Sequence, residues 1–198
     1  MAFVPKIVIA ATELVYSGWA RLTRYTLDIE RHDGSMMQAV REVHDHGHGA
    51  AVLPFDEARK TVLLVRQFRL PPHLAGANGM MIEACAGLLD DDAPEVCAAR
   101  KAEEELGYRL RNLRSLGRIW GSPGAISESI WLFLADYAAS DRIGKGGGKE
   151  GEDEDIEILE MPLTEAMDLV AAGEIADAKT LILLQHLWIA RQEQGWQG

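Results

Sequence analysis

Between Ala86 and Tyr108 the chain reads AGLLDDDAPEVCAARKAEEELGY: a glycine turn, an acidic stretch, then Glu103, Glu104 and Glu105 closed by Gly107. Carboxylates gathered from a loop and one helix can hold hard divalent cations. Such cations take oxygen ligands, neutralise and orient a diphosphate, and polarise an attacking water. Residues four apart share a helix face, so positions 101 and 105 point the same way, with 104 beside them. The carbonyl at the Ala86-Gly87 turn offers one more oxygen. Position 101, however, is a lysine. The competing reading is a solvated acidic helix whose glutamates pair with Arg100 and Lys101.

A second acidic cluster, Glu152, Asp153, Glu154, Asp155 and Glu157, follows the glycine-rich stretch GKGGGKEG at 144–151. A loop of this kind can complete a site and bring a base to it; by composition alone a disordered acidic loop is the better reading. The glycines are not a P-loop, because the Gly-x-x-x-x-Gly-Lys-Ser/Thr order is absent and no helix follows. Cations for a phosphate must come from elsewhere, and Arg66 and Arg69 in VRQFR stand at a strand end where bidentate contacts are feasible. His44, His46 and His48 alternate along an extended segment and could face one side as a transition-metal site, against the commoner solvated or locally hydrogen-bonded role. Trp19 could stack on a base or simply pack. Cys85 and Cys97 lack metal-ligand spacing and read as small buried hydrophobes.

These groups need a scaffold. The chain has 198 residues, 47% of them hydrophobic, enough for one domain with an appended element. A net charge of −11 argues against a nucleic-acid backbone or an anionic membrane as partner. With no signal-like segment and no long apolar run, the expected setting is cytoplasmic. Alternation predicts strands at 6–15 and 20–30, an Asp33-Gly34 hairpin into a strand at 36–44, and a second hairpin from 49–54 and 61–68. LPPH at 70–73 should break regular structure. A short strand at 80–85 leads to the glycine turn, and Pro94 and Gly107 bracket a helix over 94–106. Strands near 113–120, 130–137 and the second half of 152–162 follow, with helices at 163–171 and 178–192. Without a regular βαβ repeat, the class is α+β or a mixed sandwich.

The 86–108 stretch resembles the Nudix box: a glycine, spaced acidic residues, then Arg-Glu-x-x-Glu-Glu-x-Gly. More closely, the chain resembles the GDP-mannose pyrophosphatase branch of the Nudix hydrolases, next to the ADP-ribose pyrophosphatases. The segments that carry this are REVHDHGHGAAVL (41–53), VRQFR (65–69), IEACAGLLDDDAPEVC (82–97), SPGAISE (122–128), GGG (146–148), EDEDIEILEMP (152–162) and GEIADAKTLILL (173–184). The resemblance implies an α/β/α Nudix sandwich with a mixed sheet over 46–198 and an N-terminal β-rich dimerisation element over 1–45. It implies a homodimeric, magnesium- or manganese-dependent hydrolase that splits a nucleoside diphosphate-sugar, with GDP-mannose favoured and ADP-ribose the alternative substrate. By position it makes the Ala86 carbonyl, Glu105 and Glu154 metal ligands, Glu104 an acidic partner in the box, and Glu152 or Glu154 the water-activating base. Arg69, Gly87, Leu88, Glu128, Asp153 and Lys179 fall on substrate positions. Trp19, Val40, Arg41 and Glu42 fall on nucleotide positions reached across the dimer.

Three departures stand out. Lys101 replaces the first glutamate of the box, a metal ligand in the family, and should pair with Glu105. The loop after Gly87 is one residue short of the general spacing, as in this branch, and Ala93 stands where a glutamate is usual. A catalytically impaired nucleotide-binding protein is therefore the reading that competes with an active hydrolase.

Overall fold

The computed structural model describes residues 2–148, 155–193 and 195. They divide into two compact units, one of Met1–His48 with Trp120–Ser129, the other of Gly49–Ile119 with Ile130–Gly198.

The first unit is an antiparallel three-stranded sheet in the order β1 (Ile7–Ser17), β2 (Arg21–Glu30), β3 (Met36–Asp45). Its register places Glu13, Arg24 and Glu42 side by side. Arg24 accordingly bridges both acids, at 3.1 Å to Glu13 and 2.8 Å to Glu42. The Asp33-Gly34 signal is met by a tight β2–β3 turn, with Gly34 at φ 81° and Asp33 accepting hydrogen bonds from Ser35. The segment 122–127 is tied to the end of β3 by His44 N–H to the Ala125 carbonyl and Ser127 N–H to the His44 carbonyl.

The second unit is a mixed sheet flanked by helices on both faces. Its strand path is β10 (Glu157–Pro162), β5 (Thr61–Phe68), β4 (Gly49–Asp56), β9 (Ile130–Asp136) and β8 (Arg111–Ile119). The short β6 (Met80–Glu83) pairs with β5 and β7 (Cys85–Leu88) with β4. β4 and β9 run parallel and the other pairs are antiparallel. Side-chain alternation sorts the central strands between two cores. Ala51, Leu53, Phe55, Val62, Leu64, Leu132 and Leu134 pack with Leu163 and Ala166 of α3 (Leu163–Ala171) and Leu183, Leu184 and Leu187 of α4 (Ala178–Glu193). Ala50, Val52, Leu63, Val65, Phe133 and Ala135 pack on the other face against Cys97 and Ala98 of α2 (Pro94–Lys101) and Ala102 and Leu106 beyond it. Burial on both faces explains why these strands read as near-continuous apolar runs.

Three local expectations are corrected. LPPH does not end all regular structure: Leu70–Leu74 forms one helical turn, α1, with its prolines in the first positions, where no N–H is needed. The presumed turn at Ala86-Gly87 is strand β7, whose Ala86 and Gly87 pair with Ala51 and Ala50. The helix over 94–106 changes pitch. It is α-helical through Lys101, and Ala102–Leu106 is a π turn in which the Gly107 N–H reaches the Ala102 carbonyl five residues back.

Candidate active site

In the second unit, the candidate residues stand on the Glu-rich helix, β7, the end of β5, β6 and the start of α4. Glu105 is buried, 2% exposed, on the π turn. Its charge reaches both the Arg69 guanidinium and the Cys85 thiol. Burial, and then Glu105 beside it, push that thiol well above its ordinary value; burial also raises Cys97. Both cysteines are free and buried, as expected of small apolar side chains. Glu104 faces cations: Lys101 Nζ lies 3.2 Å and Arg100 Nη1 3.4 Å from its Oε2. Lys101 thus forms an ion pair with Glu104, three residues on. The Lys101 stem lies across Gly87. A Cβ on Gly87 would come within 2.7 Å of Lys101 Cδ and Cγ, so a side chain here would displace the lysine stem.

The glycine-rich stretch closes the helix. Gly147 donates its N–H to the Glu105 carbonyl at 2.8 Å and Gly148 to the Glu104 carbonyl at 3.3 Å. These bonds satisfy carbonyls orphaned at a helix end. Gly146, at φ 68°, lies against the same turn, where a Cβ would come within 2.7 Å of the Leu106 carbonyl carbon. The chain therefore enters the acidic segment from the carboxylate end of the box. Glu152, Asp153 and Glu154 themselves lie outside the described residues.

Arg69 and Lys179, far apart in sequence, meet on Glu83. Arg69 donates Nε and Nη2 to the two carboxylate oxygens at 2.6 and 3.1 Å, and Lys179 Nζ donates to Oε2 at 2.6 Å. Lys179 also donates to Asp177 at 2.9 Å, and Asp177 accepts from the Thr180 N–H and hydroxyl. The same Thr180 hydroxyl oxygen accepts the Ala84 N–H at 2.7 Å. Burial alone would raise Glu83 and lower Lys179. The opposite charges outweigh it, holding the carboxyl below and the ammonium above their ordinary values. Both stay charged at neutral pH, locked in position. Glu83, Asp177 and Thr180 were not singled out from sequence. Their signal was a lone carboxylate and a lone lysine within apolar runs, IEACAG and DAKTLILL, since a buried charge demands a partner.

In the first unit Trp19 is 77% exposed and stacks on His46, with ring centroids 5.1 Å apart and planes at 20°. His46 Nε2 lies 3.3 Å from Glu128 Oε1, and its Nδ1 lies 3.3 Å from His44 Nδ1. His48 turns instead to Ser129, at 3.2 Å from its N–H. The histidines take the locally hydrogen-bonded role. Val40 is exposed, Arg41 donates to the Val40 carbonyl, and Glu42 is held by Arg24. The structure thus gathers Trp19, His46 and Glu128 in one unit, and Arg69 and Lys179 with Glu83 in the other. Leu88 lies at the end of β7, half-buried. Arg66 pairs with Glu157 at 2.9 Å.

Among the described residues no group of three or more His, Cys, Asp or Glu is placed to hold a metal ion. With Glu104 engaged by two cations and a lysine at 101, the described residues do not assemble a metal cluster.

Residues 45–184 match the NUDIX domain, and residues 6–44 match the GDP-mannose pyrophosphatase NudK N-terminal domain. The chain is similar to GDP-mannose pyrophosphatase of Cronobacter sakazakii, 50% identical over 167 residues, 84% of this chain and 86% of that one. To the Pectobacterium atrosepticum protein of the same name it is 44% identical over 189 residues, 95% of each. To that of Escherichia coli O1:K1 / APEC it is 42% identical over 183 residues, 92% of this chain and 95% of that one. In fold it matches the crystal structure of an ADP compounds hydrolase, with TM-score 0.73 and 19% identity over 96% of both chains.

Proposed function

This chain belongs to the Nudix hydrolase family, in its GDP-mannose pyrophosphatase branch, and from that premise we propose that it hydrolyses the diphosphate of GDP-mannose to GMP and mannose 1-phosphate. The observation that carries the reading is the Arg69–Glu83–Lys179 group beside Glu105. It holds one planar and one point-like cation fixed by a shared carboxylate, ready for phosphate oxygens. Nudix hydrolases generally use divalent ions. Here the Ala86 carbonyl, Glu105 and Glu154 would hold a magnesium or manganese ion. When bound, it supplies charge neutralisation at the diphosphate.

The chain's own residues do the rest. Arg69 and Lys179 orient the diphosphate, with Gly87, Leu88, Glu128 and Asp153 completing the substrate positions. Trp19, Val40, Arg41 and Glu42 receive the nucleoside. Glu152 or Glu154 takes the proton of the attacking water. Glu152 is four residues past Gly148, which is bonded to the Glu104 carbonyl, and four residues span at most about 14 Å. The base can therefore reach the box. Residues 1–45 are the dimerisation element, with Ile7, Ile9, Leu14 and Tyr16 of β1 each more than half exposed and available to a second copy. The cytoplasm is the compartment where such a nucleotide sugar is met.

The test is turnover of GDP-mannose by the purified protein with magnesium, following GMP and mannose 1-phosphate, with and without a chelator. Metal-dependent hydrolysis is expected. Equal use of ADP-ribose in competition removes the substrate assignment, and binding without turnover points to an impaired enzyme.

A further inference from the structure

The disagreement at position 101 has a physical resolution. A glutamate there would face the same surface as Glu105 and Glu104 and add a third carboxylate. The lysine instead places an ammonium among them. Its side chain is only 13% exposed, its stem fits the space left by the missing Cβ of Gly87, and its Nζ sits 3.2 Å from Glu104. This is a seated side chain and not a loose surface lysine. Its charge is felt at Cys85 on β7, so the ammonium lies over the strand that carries Ala86 and Gly87. A divalent ion in that place would meet a fixed positive charge at contact distance, with no third carboxylate to hold it.

We propose that the Lys101 ammonium is a built-in counter-ion for the substrate diphosphate, standing in for one divalent cation. A chain with glutamate at 101 would then bind one more metal ion than this one. The proposal rests on the diphosphatase reading for the identity of its anion, and not for its metal count. An ammonium is a compact point charge with three donors, suited to phosphate oxygens. Glu104 and Gly87 act as its positioning residues: the first holds the head, the second makes room for the stem.

The experiment is a titration with Mn2+ alone, reading free Mn2+ by electron paramagnetic resonance, on the wild type, Lys101→Glu and Lys101→Met. Lys101→Glu is expected to bind one more Mn2+ per chain than the wild type, and Lys101→Met no more than the wild type. Turnover of GDP-mannose should fall tenfold or more in Lys101→Met, whose stem still packs on Gly87, and Lys101→Arg should recover part of it. Equal Mn2+ counts in wild type and Lys101→Glu overturn the proposal, as does turnover of Lys101→Met within twofold of wild type. If the wild type fails to hydrolyse GDP-mannose, the functional reading falls, while the Mn2+ count still decides the role of Lys101. Circular dichroism and a thermal melt on each variant confirm the fold being titrated.

Discussion

Replacing Glu83 by glutamine should destabilise the fold by about 3–5 kcal/mol, the range for removing one partner of a buried ion pair. Glu83 accepts three charge-assisted hydrogen bonds, two from Arg69 and one from Lys179, each worth about 1.5–3 kcal/mol. They are not lost equally. The Arg69 side chain is 42% exposed and regains water, whereas Lys179 is 10% exposed and is left with Asp177. The amide would also turn an N–H toward one of these donors. Urea unfolding by linear extrapolation gives the difference.

Its pH dependence identifies the cause. Glu83 is held below its ordinary value, so its contribution is complete above the unfolded value of about 4.3 and is lost as pH falls through the folded one. Lys179 is held above its ordinary value, so its contribution is complete below about 10.4 and is lost as pH rises through the folded one. The wild-type advantage over Glu83→Gln should therefore be flat around neutrality and shrink in acid, below about pH 4. A difference under about 1 kcal/mol, or one unchanged between about pH 7 and 3, would refute the account of Glu83 as a buried charged hub.

Thr180→Val should cost about 1–3 kcal/mol in urea unfolding, because it leaves the buried Ala84 N–H without its acceptor; Thr180→Ser should restore most of it. Gly107→Ala places a side chain at φ 75°, with its Cβ 2.6 Å from the Gly144 carbonyl oxygen. Gly34→Ala meets nothing within 4 Å at φ 81°. The Gly34 change should cost about 1–2 kcal/mol from backbone conformation alone, and the Gly107 change clearly more, read as a larger fall in Tm. Neither Cys85 nor Cys97 should react with Ellman's reagent in the folded protein at pH 8 within minutes, and both should react in guanidinium; rapid labelling of either would contradict the burial and raised values found for them.

The strands and helices were legible because burial imposes periodicity. β4 and β5, covered on both faces, announce themselves as apolar runs, and β2 and β3 by the Asp33-Gly34 turn. What stayed hidden has physical reasons. The π turn at Ala102–Leu106 uses the same residues as an α-helix would; only the hydrogen-bond partner of Gly107 differs, and side-chain pattern does not record that. β7 is four residues long and owes its form to pairing with β4, so a local reading saw only its glycine. The box and the place of its lysine were readable through the resemblance to the Nudix pattern. The Glu83 hub was not, because Arg69 and Lys179 stand 14 and 96 residues away from it, and only the fold brings them together.

The parallel pairing of β4 with β9 has a consequence for how the chain reaches this state. Gly49 lies opposite Ile130 and Phe55 opposite Asp136, so this contact must close a loop of some eighty residues. The β1–β2–β3 meander and the β4–β5 turn need only local closure. Loop-closure entropy and the slow formation of non-local strand contacts order these events, with the meander early and the β4–β9 seam late. During synthesis β4, buried along its whole length in the finished protein, emerges well before the strand that will cover its edge. In that interval the nascent chain presents an apolar strand with an open edge, the kind of surface that chaperones hold and that aggregates recruit.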